Sequence, residues 1–146
     1  MRPLPPFYFL IAIGIIIALH LLLPIHQWLD WPWTSIGIFI GLSGFSLTMF
    51  CVLSFTKHGT TVRPFEHSEA LVTDGFYRYS RNPMYVGLVT MLTGIAVGMG
   101  TVTPLVVPPT FAVFITYAFI VKEEKMLAER FGEEYEVFRK RVRRWF

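Results

Sequence analysis

The chain has 146 residues, 53% of them hydrophobic and only 16% charged, with a mean hydropathy of +0.52 and a net charge of +3. A soluble domain carries roughly 25% charged residues. Here the apolar residues also come in blocks, so the composition excludes an ordinary soluble enzyme and predicts one membrane-embedded domain, residues 1–146. Cys51 is the only cysteine, which excludes an intramolecular disulfide and a cysteine zinc cluster.

Residues 7–23 form a nearly unbroken apolar run. At about 1.5 Å per residue it nearly crosses a hydrocarbon core of about 30 Å. Arg2 would suit the start of a signal peptide, but no small-x-small cleavage site follows the run. Trp28, Trp31 and Trp33 come next and suit an interfacial aromatic belt, so the run is read as a first span. Residues 34–55 predict a second span. Within it Gly37 and Gly41 form a small-xxx-small pair, with Gly44, Ser43 and Ser46 nearby, a pattern that permits close helix approach but is common by chance.

Residues 57–83 are polar. Gly59-Thr60-Thr61 and Arg63-Pro64 are turn and extended signals, and Ser68 suits the cap of a short helix. Residues 84–121 are too long for one span and are punctuated by Gly98, Gly100 and Pro104. They predict a helical hairpin with spans at 84–99 and 104–121, the second kinked or delayed by Pro108-Pro109. Residues 122–146 form a charged tail. In it Leu127, Phe131, Tyr135, Phe138, Val142 and Trp145 recur at spacings of three and four, which predicts an amphipathic helix. Arg139, Lys140, Arg141, Arg143 and Arg144 cluster near its end. Such a helix either lies on an anionic membrane surface or packs on its own protein, and both readings stand.

The expected fold is therefore an all-α integral membrane protein with four transmembrane helices, the last two a hairpin, and a cytoplasmic amphipathic C-terminal helix. With four spans, all 13 Lys and Arg residues fall on one side, which the positive-inside rule makes cytoplasmic. Both termini then face the cytoplasm, and the expected location is a prokaryotic plasma membrane. The bilayer is the expected partner, and nucleic acid is not.

The most polar stretch of the chain is residues 71–87, LVTDGFYRYSRNPMYVG. It mixes aromatic rings (Phe76, Tyr77, Tyr79, Tyr85), charges (Asp74, Arg78, Arg81) and backbone punctuation (Gly75, Pro83, Gly87). That mixture suits the wall of a site for a flat, charged small molecule. Four-span topology brings it beside Glu123 and Glu124 at the start of the tail. Arginines can meet a ligand carboxylate, a glutamate can meet an ammonium, and aromatic faces favour a cation. Each group also has a plainer reading. The tyrosines suit the interfacial belt, the arginines suit topology anchors, and the glutamates suit a solvated face. Adjacent helix positions lie about 100° apart, so only one glutamate faces such a site squarely. Asn82-Pro83 suits a helix start, with Asn82 as cap and Pro83 in the first turn. His58 and His67 are too isolated in the sequence, and His20 and His26 too distant from the polar segment, to suggest a metal site; no metal is expected.

Several motifs follow one another in order: Leu71-Val72-Thr73-x-Gly75-x-Tyr77, Arg81-Asn82-Pro83-x-Tyr85-Val86-Gly87, Glu123-Glu124, Phe131-Gly132-Glu133-Glu134-Tyr135 and Lys140-Arg141-Val142. Together they resemble the isoprenylcysteine carboxyl methyltransferase family and the related phospholipid N-methyltransferases, over roughly the last 90 residues. The combination is fairly specific, whereas any single piece is weak. The resemblance implies S-adenosylmethionine as cofactor, S-adenosylhomocysteine as product, and a lipophilic or lipidated acceptor arriving from the bilayer. It implies a cofactor lying against Glu69, Ala70, Leu71, Val72 and Tyr77, continuing along Asn82, Pro83, Met84 and Tyr85, and closed in by Glu123. Asn82 and Glu123 would orient the cofactor, and Tyr85 would line the transfer site.

Two departures matter. The family often has Arg-His-Pro where this chain has Arg81-Asn82-Pro83; asparagine hydrogen-bonds but has no titratable ring, which argues against a general base there. The eukaryotic carboxyl methyltransferases have a substrate-contacting arginine one helical turn before the glutamate, where this chain has Phe119. That change favours an acceptor other than a prenylcysteine carboxylate, unless Arg78 or Arg81 substitutes. Two rival readings stay open: a sterol-reductase-like membrane enzyme using NADPH, and a non-enzymatic scaffold whose basic tail binds anionic lipid. The sequence leaves the acceptor and the oligomeric state open.

Overall fold

A computed structural model describes residues 4–57 and 71–146 of the chain. The predicted cap Ser68 and the predicted cofactor contacts Glu69 and Ala70 lie outside the described residues, as do the turn signals at 59–64. The described residues are helical, apart from connections and one isolated antiparallel bridge between Gln27 and Thr101.

Helix α1 spans Pro5–Leu22, and a 3-10 turn at Trp33–Ser35 leads into α2, Ile36–Lys57. A second 3-10 turn, Gly75–Arg78, precedes α3, Pro83–Gly98. After a 3-10 turn at Thr103–Val106 come α4 (Val107–Ile115), a π-helical turn (Thr116–Ile120), α5 (Val121–Phe131) and α6 (Glu133–Arg141). Three helical stretches are long and apolar enough to cross a membrane: Pro5–Leu22, Trp33–Lys57 and Thr103–Phe131. Pro83–Gly98 is a shorter apolar helix. In the third stretch the apolar part ends at Val121, where Lys122-Glu123-Glu124-Lys125 begins.

The outward faces of α1 and α2 carry large exposed apolar residues, among them Phe7, Leu10, Leu21, Ile38, Phe39 and Leu42. In water such a surface would be an aggregation liability. Around a bilayer-spanning bundle it is the lipid contact.

Helix α3 sits between α2 on one side and α1 and α4 on the other. The α2–α3 contact is built from glycine. A Cβ on Gly94 would run into the backbone of Gly37 and Gly41, and one on Gly87 into Thr48 and Gly44. The Gly37–Gly41–Gly44 pattern is thus the seam along which two backbones touch, the arrangement small residues permit in lipid. On the other side of α3, Leu92 and Ala96 pack with Ile16 of α1 and with Phe111 and Ile115 of α4, and form the main core.

The two ends of the bundle differ. At one end His20 pairs with Thr101 at 2.9 Å, and Trp28 and Leu29 donate backbone hydrogen bonds to Gly100. At the other end the Tyr8 ring lies 5.8 Å from Phe119 and the Phe55 ring 5.6 Å from Tyr77. The polar residues of 71–82 and the charged start of α5 gather at this second end.

The C-terminal segment differs from a single amphipathic helix. It breaks at Gly132, whose φ of +52° and ψ of −120° close α5 and turn the chain into α6. That backbone region is populated essentially by glycine. Nor does the helix begin at residue 122: α5 continues α4 without interruption through the π turn. The predicted apolar face survives the break. Tyr135, Phe138 and Val142 are buried with Val72, Tyr77 and Cys51, and Leu127 and Phe131 pack against them. The segment packs on its own protein, and Cys51 is a core residue of that second cluster.

Candidate functional site

Residues 80–85 hold the site from one side. Pro83 occupies the first turn of α3, where its missing N–H costs nothing. Asn82 holds the N-cap position, but its side chain makes no capping bond. Its amide nitrogen instead donates to the carbonyl of Arg144 at 3.1 Å. Ser80 donates to the same carbonyl at 3.2 Å, and the Arg81 backbone N–H donates to the carbonyl of Arg143 at 3.0 Å. The tail is thereby stitched to the entry of α3.

The start of α5 forms the other side. Glu123 and Glu124 divide their tasks, as neighbours about 100° apart on a helix must. The Tyr85 hydroxyl donates to Oε1 of Glu123 at 2.8 Å. Glu124 instead lies between two guanidiniums: Arg81 at 2.9 Å to Oε1, and Arg144 at 2.7 Å to Oε2. Arg81 also donates to the carbonyl of Arg139 at 3.1 Å. The π turn at Thr116–Ile120 lies immediately before these glutamates; such turns often occur at functional sites.

Electrostatics separate the two carboxylates. Burial raises the pKa of Glu123, and the charge of Glu124 adds to it, against the lowering effect of the Tyr85 hydrogen bond. For Glu124 burial acts in the same direction, but the Arg144 hydrogen bond and the charges of Arg81 and Arg144 outweigh it and leave its pKa lowered. Burial holds the Tyr77 hydroxyl well above its ordinary range, with the charges of Cys51 and Glu123 contributing. Burial likewise pushes the Tyr135 phenol up to about 12, so both phenols are protonated donors at neutral pH.

The described candidates from the sequence fall at one end of the bundle, divided between the main core, which holds Tyr85, and the second cluster, which holds Val72 and Tyr77. Val72, Tyr77, Asn82, Pro83 and Tyr85 are buried, Leu71 and Met84 are half-buried against the second cluster, and Glu123 is half-buried on Tyr85. The two arginines part company: Arg78 is exposed, whereas the side chain of Arg81 is 9% exposed and bonds the tail through its two terminal nitrogens. Tyr79 is 74% exposed and suits the interfacial belt. Phe119 is buried in the main core, so the position matched to a substrate arginine faces packing atoms. A cleft of about 400 Å³ beside α2 and α3 is lined by Val86, Thr90, Phe50 and Phe76, on the side of α3 away from Tyr85.

Sequence reasoning missed Ser80, Arg144 and Tyr135 as members of this assembly. No fixed spacing links Arg144 to Arg81 or Glu124, so pattern could not find it. Tyr135 was visible as one member of an apolar face, but nothing in that face marked its hydroxyl.

An all-helical membrane protein with a tyrosine-bonded glutamate and a clamped second glutamate at one end of its bundle is the class that these features define. The family model described as phospholipid methyltransferase matches residues 33–134, which include the glycine seam, Asn82, Tyr85 and both glutamates. The chain belongs to the phospholipid methyltransferase family. Among curated proteins, none matches it.

Proposed function

We propose that the protein moves the methyl group of S-adenosylmethionine to a lipophilic or membrane-associated acceptor and releases S-adenosylhomocysteine. The observation that carries this reading is the Tyr85–Glu123 hydrogen bond. It holds a carboxylate at the bundle end beside an aromatic, largely apolar wall of Val72, Tyr77 and Met84. That donor set fits the ligand: a carboxylate for its ammonium or sulfonium, and ring faces for its cation and its adenine. Family membership supports methyl transfer to a membrane lipid-type acceptor.

When bound, the cofactor supplies a methyl group on a sulfonium that an oxygen, nitrogen or sulfur nucleophile displaces directly, so no covalent enzyme intermediate is needed. The work of this chain is positioning and exclusion of water. Tyr85 fixes the rotamer of Glu123, which orients the cofactor. Leu71, Val72, Tyr77, Pro83 and Met84 wall it. The Asn82 amide nitrogen is committed to Arg144, so Asn82 offers a ligand its side-chain oxygen. The acceptor enters from the bilayer as a carboxylate, amine or thiol; Phe119 disfavours a prenylcysteine carboxylate, and the family favours a lipid amine. Positive charge at the same bundle end makes that end cytoplasmic, with both termini there.

The test is mass spectrometry of membrane extracts incubated with the protein and a methyl donor carrying an isotopic label. A lipid that gains the label only when the protein is present is the expected result. No labelled product, together with thermal stabilisation by NADPH and none by S-adenosylhomocysteine, would favour a reductase; stabilisation by neither would leave a scaffold.

A further inference from the structure

Two polar groups of this assembly are shielded from solvent and make no hydrogen bond: Nε of Arg81 and the hydroxyl of Tyr135. Leaving a buried donor unpaired is costly, so native proteins do so rarely and at places that need an explanation. Arg81 cannot turn Nε elsewhere, because its two terminal nitrogens are fixed on Glu124 and on the Arg139 carbonyl. Tyr135 is 1% exposed and packs in one cluster with Val72 and Tyr77. Four charges reach its hydroxyl: Glu124, Arg81, Arg139 and Arg144. Glu124 is the largest of these charges, and it is already engaged by Arg81 and Arg144, so the two unused donors are left for a partner that the described residues do not supply. An anion with two acceptor oxygens satisfies both, whereas a cation leaves Arg81 Nε, which can only donate, unpaired.

We propose that Arg81 Nε and the Tyr135 hydroxyl bind the α-carboxylate of the methyl donor and of its demethylated product. The assignment rests on the reading that S-adenosylmethionine is the donor. It adds to that reading a binding residue on α6 and a reason for the tail to be stitched to α3. The ligand carboxylate accepts one hydrogen bond from each donor, and the bond from Arg81 is charge-assisted, the stronger kind. The opposite charges of the aminoacyl end are then divided. Its ammonium faces Glu123, and its carboxylate faces Arg81 and Tyr135. The clamp on Glu124 becomes a positioning device, since it holds the Arg81 guanidinium so that Nε is presented to the ligand.

The test is calorimetric titration of the full chain in detergent with two probes. S-adenosylhomocysteine carries the carboxylate, whereas 5′-deoxy-5′-methylthioadenosine shares the nucleoside and thioether but lacks the aminoacyl chain. Tyr135→Phe keeps the shape and removes the hydroxyl. The variant is expected to bind S-adenosylhomocysteine about tenfold more weakly and methylthioadenosine unchanged, while its ligand-free melting temperature stays level or rises, because an unpaired buried hydroxyl has gone. Arg81→Lys, which keeps the charge and loses Nε, is expected to show the same selective loss. Undiminished binding of S-adenosylhomocysteine by Tyr135→Phe overturns the assignment and leaves the methyl-donor reading intact. Equal loss of both probes also overturns it, since Tyr135 would then act on the wall. Failure of the wild-type chain to bind either probe removes the methyl-donor reading itself.

Discussion

Tyr85 on α3 and Glu123 on α5 meet through a 2.8 Å hydrogen bond between phenol and carboxylate. Each residue is fixed by a different part of the fold. Tyr85 belongs to the main core with Ile16 and Ile115, and Glu123 sits two residues beyond the apolar part of the last apolar stretch. The bond therefore ties the geometry of the bundle to the start of the tail. Tyr85→Phe would leave the carboxylate half-buried and unpaired, and about 1–2 kcal/mol of stability should be lost. Chemical or thermal unfolding in detergent measures this, and an unchanged midpoint would show that the bond adds nothing to the fold.

Titration should separate the two glutamates. Glu123 has a folded pKa above its ordinary value, so in that window the folded state holds a proton that the unfolded state has released. Its contribution to stability then falls as pH rises through the window. Glu124 has a depressed folded pKa; its stabilisation is present above the ordinary value and is lost as pH falls through the depressed one. Melting curves between about pH 3 and about pH 8 test both signs. Glu123→Gln should gain on the wild type as pH rises, and Glu124→Gln should fall behind it. Parallel curves for all three proteins would contradict the assignment.

The clamp on Glu124 should matter to the fold as much as to the site. The Glu124 side chain is 12% exposed, and it is the shared partner of Arg81, 9% exposed, and Arg144, 40% exposed. Removing one partner of a buried ion pair leaves uncompensated charge and costs about 3–5 kcal/mol. Glu124→Ala should approach the lower end of that range, and Arg144→Ala should cost about 1 kcal/mol, because exposure screens its part. Equal losses in the two variants would mean that the shared carboxylate is not the centre of the network.

Much of this arrangement was legible in the sequence, for identifiable reasons. Blockwise hydropathy placed the first three helices to within a residue or two, at 84–99 against the observed Pro83–Gly98, for example, but ended the fourth at 121 where helix runs on to Phe131. Counting crossings is enough to put Tyr85 and Glu123 at the same end. The π turn before Glu123 has no pattern of its own in an apolar run. The pairing of Arg81 with Glu124 and Arg144 depends on tertiary folding alone. The break at Gly132 did carry a signal, a glycine just past a helical face and followed by two acids. Three-and-four periodicity hid it, because α6 buries the same face as α5.

Glycine chemistry makes a sharper prediction along the α2–α3 seam. A side chain at Gly94 would collide with the α2 backbone, whereas a Cβ at Gly41 meets nothing within 4 Å. Gly94→Val should destabilise by about 3 kcal/mol or more, since backbones must part to admit it, and Gly41→Ala should be close to neutral. Unfolding of the two variants side by side is the check, and a reversed order would mean that the helices do not touch where described.

The backbone at Gly132 offers an independent probe of the tail. Its added Cβ would meet no atom within 4 Å, so only the positive φ opposes a side chain. Gly132→Ala should cost about 1–3 kcal/mol and loosen α6, which would be seen as faster hydrogen exchange at the Arg81 amide, whose partner is the Arg143 carbonyl. Unaltered exchange there would show that α6 docks without help from the turn.

The central claim is that Glu123 helps to hold a nucleoside at this end of the bundle, and equilibrium binding of S-adenosylhomocysteine to the purified protein addresses it directly. The wild-type chain should bind saturably, and Glu123→Gln, which keeps the shape and loses the charge, should bind about tenfold or more weakly. Binding that is absent from the wild type, or equal in the two proteins, would contradict the account.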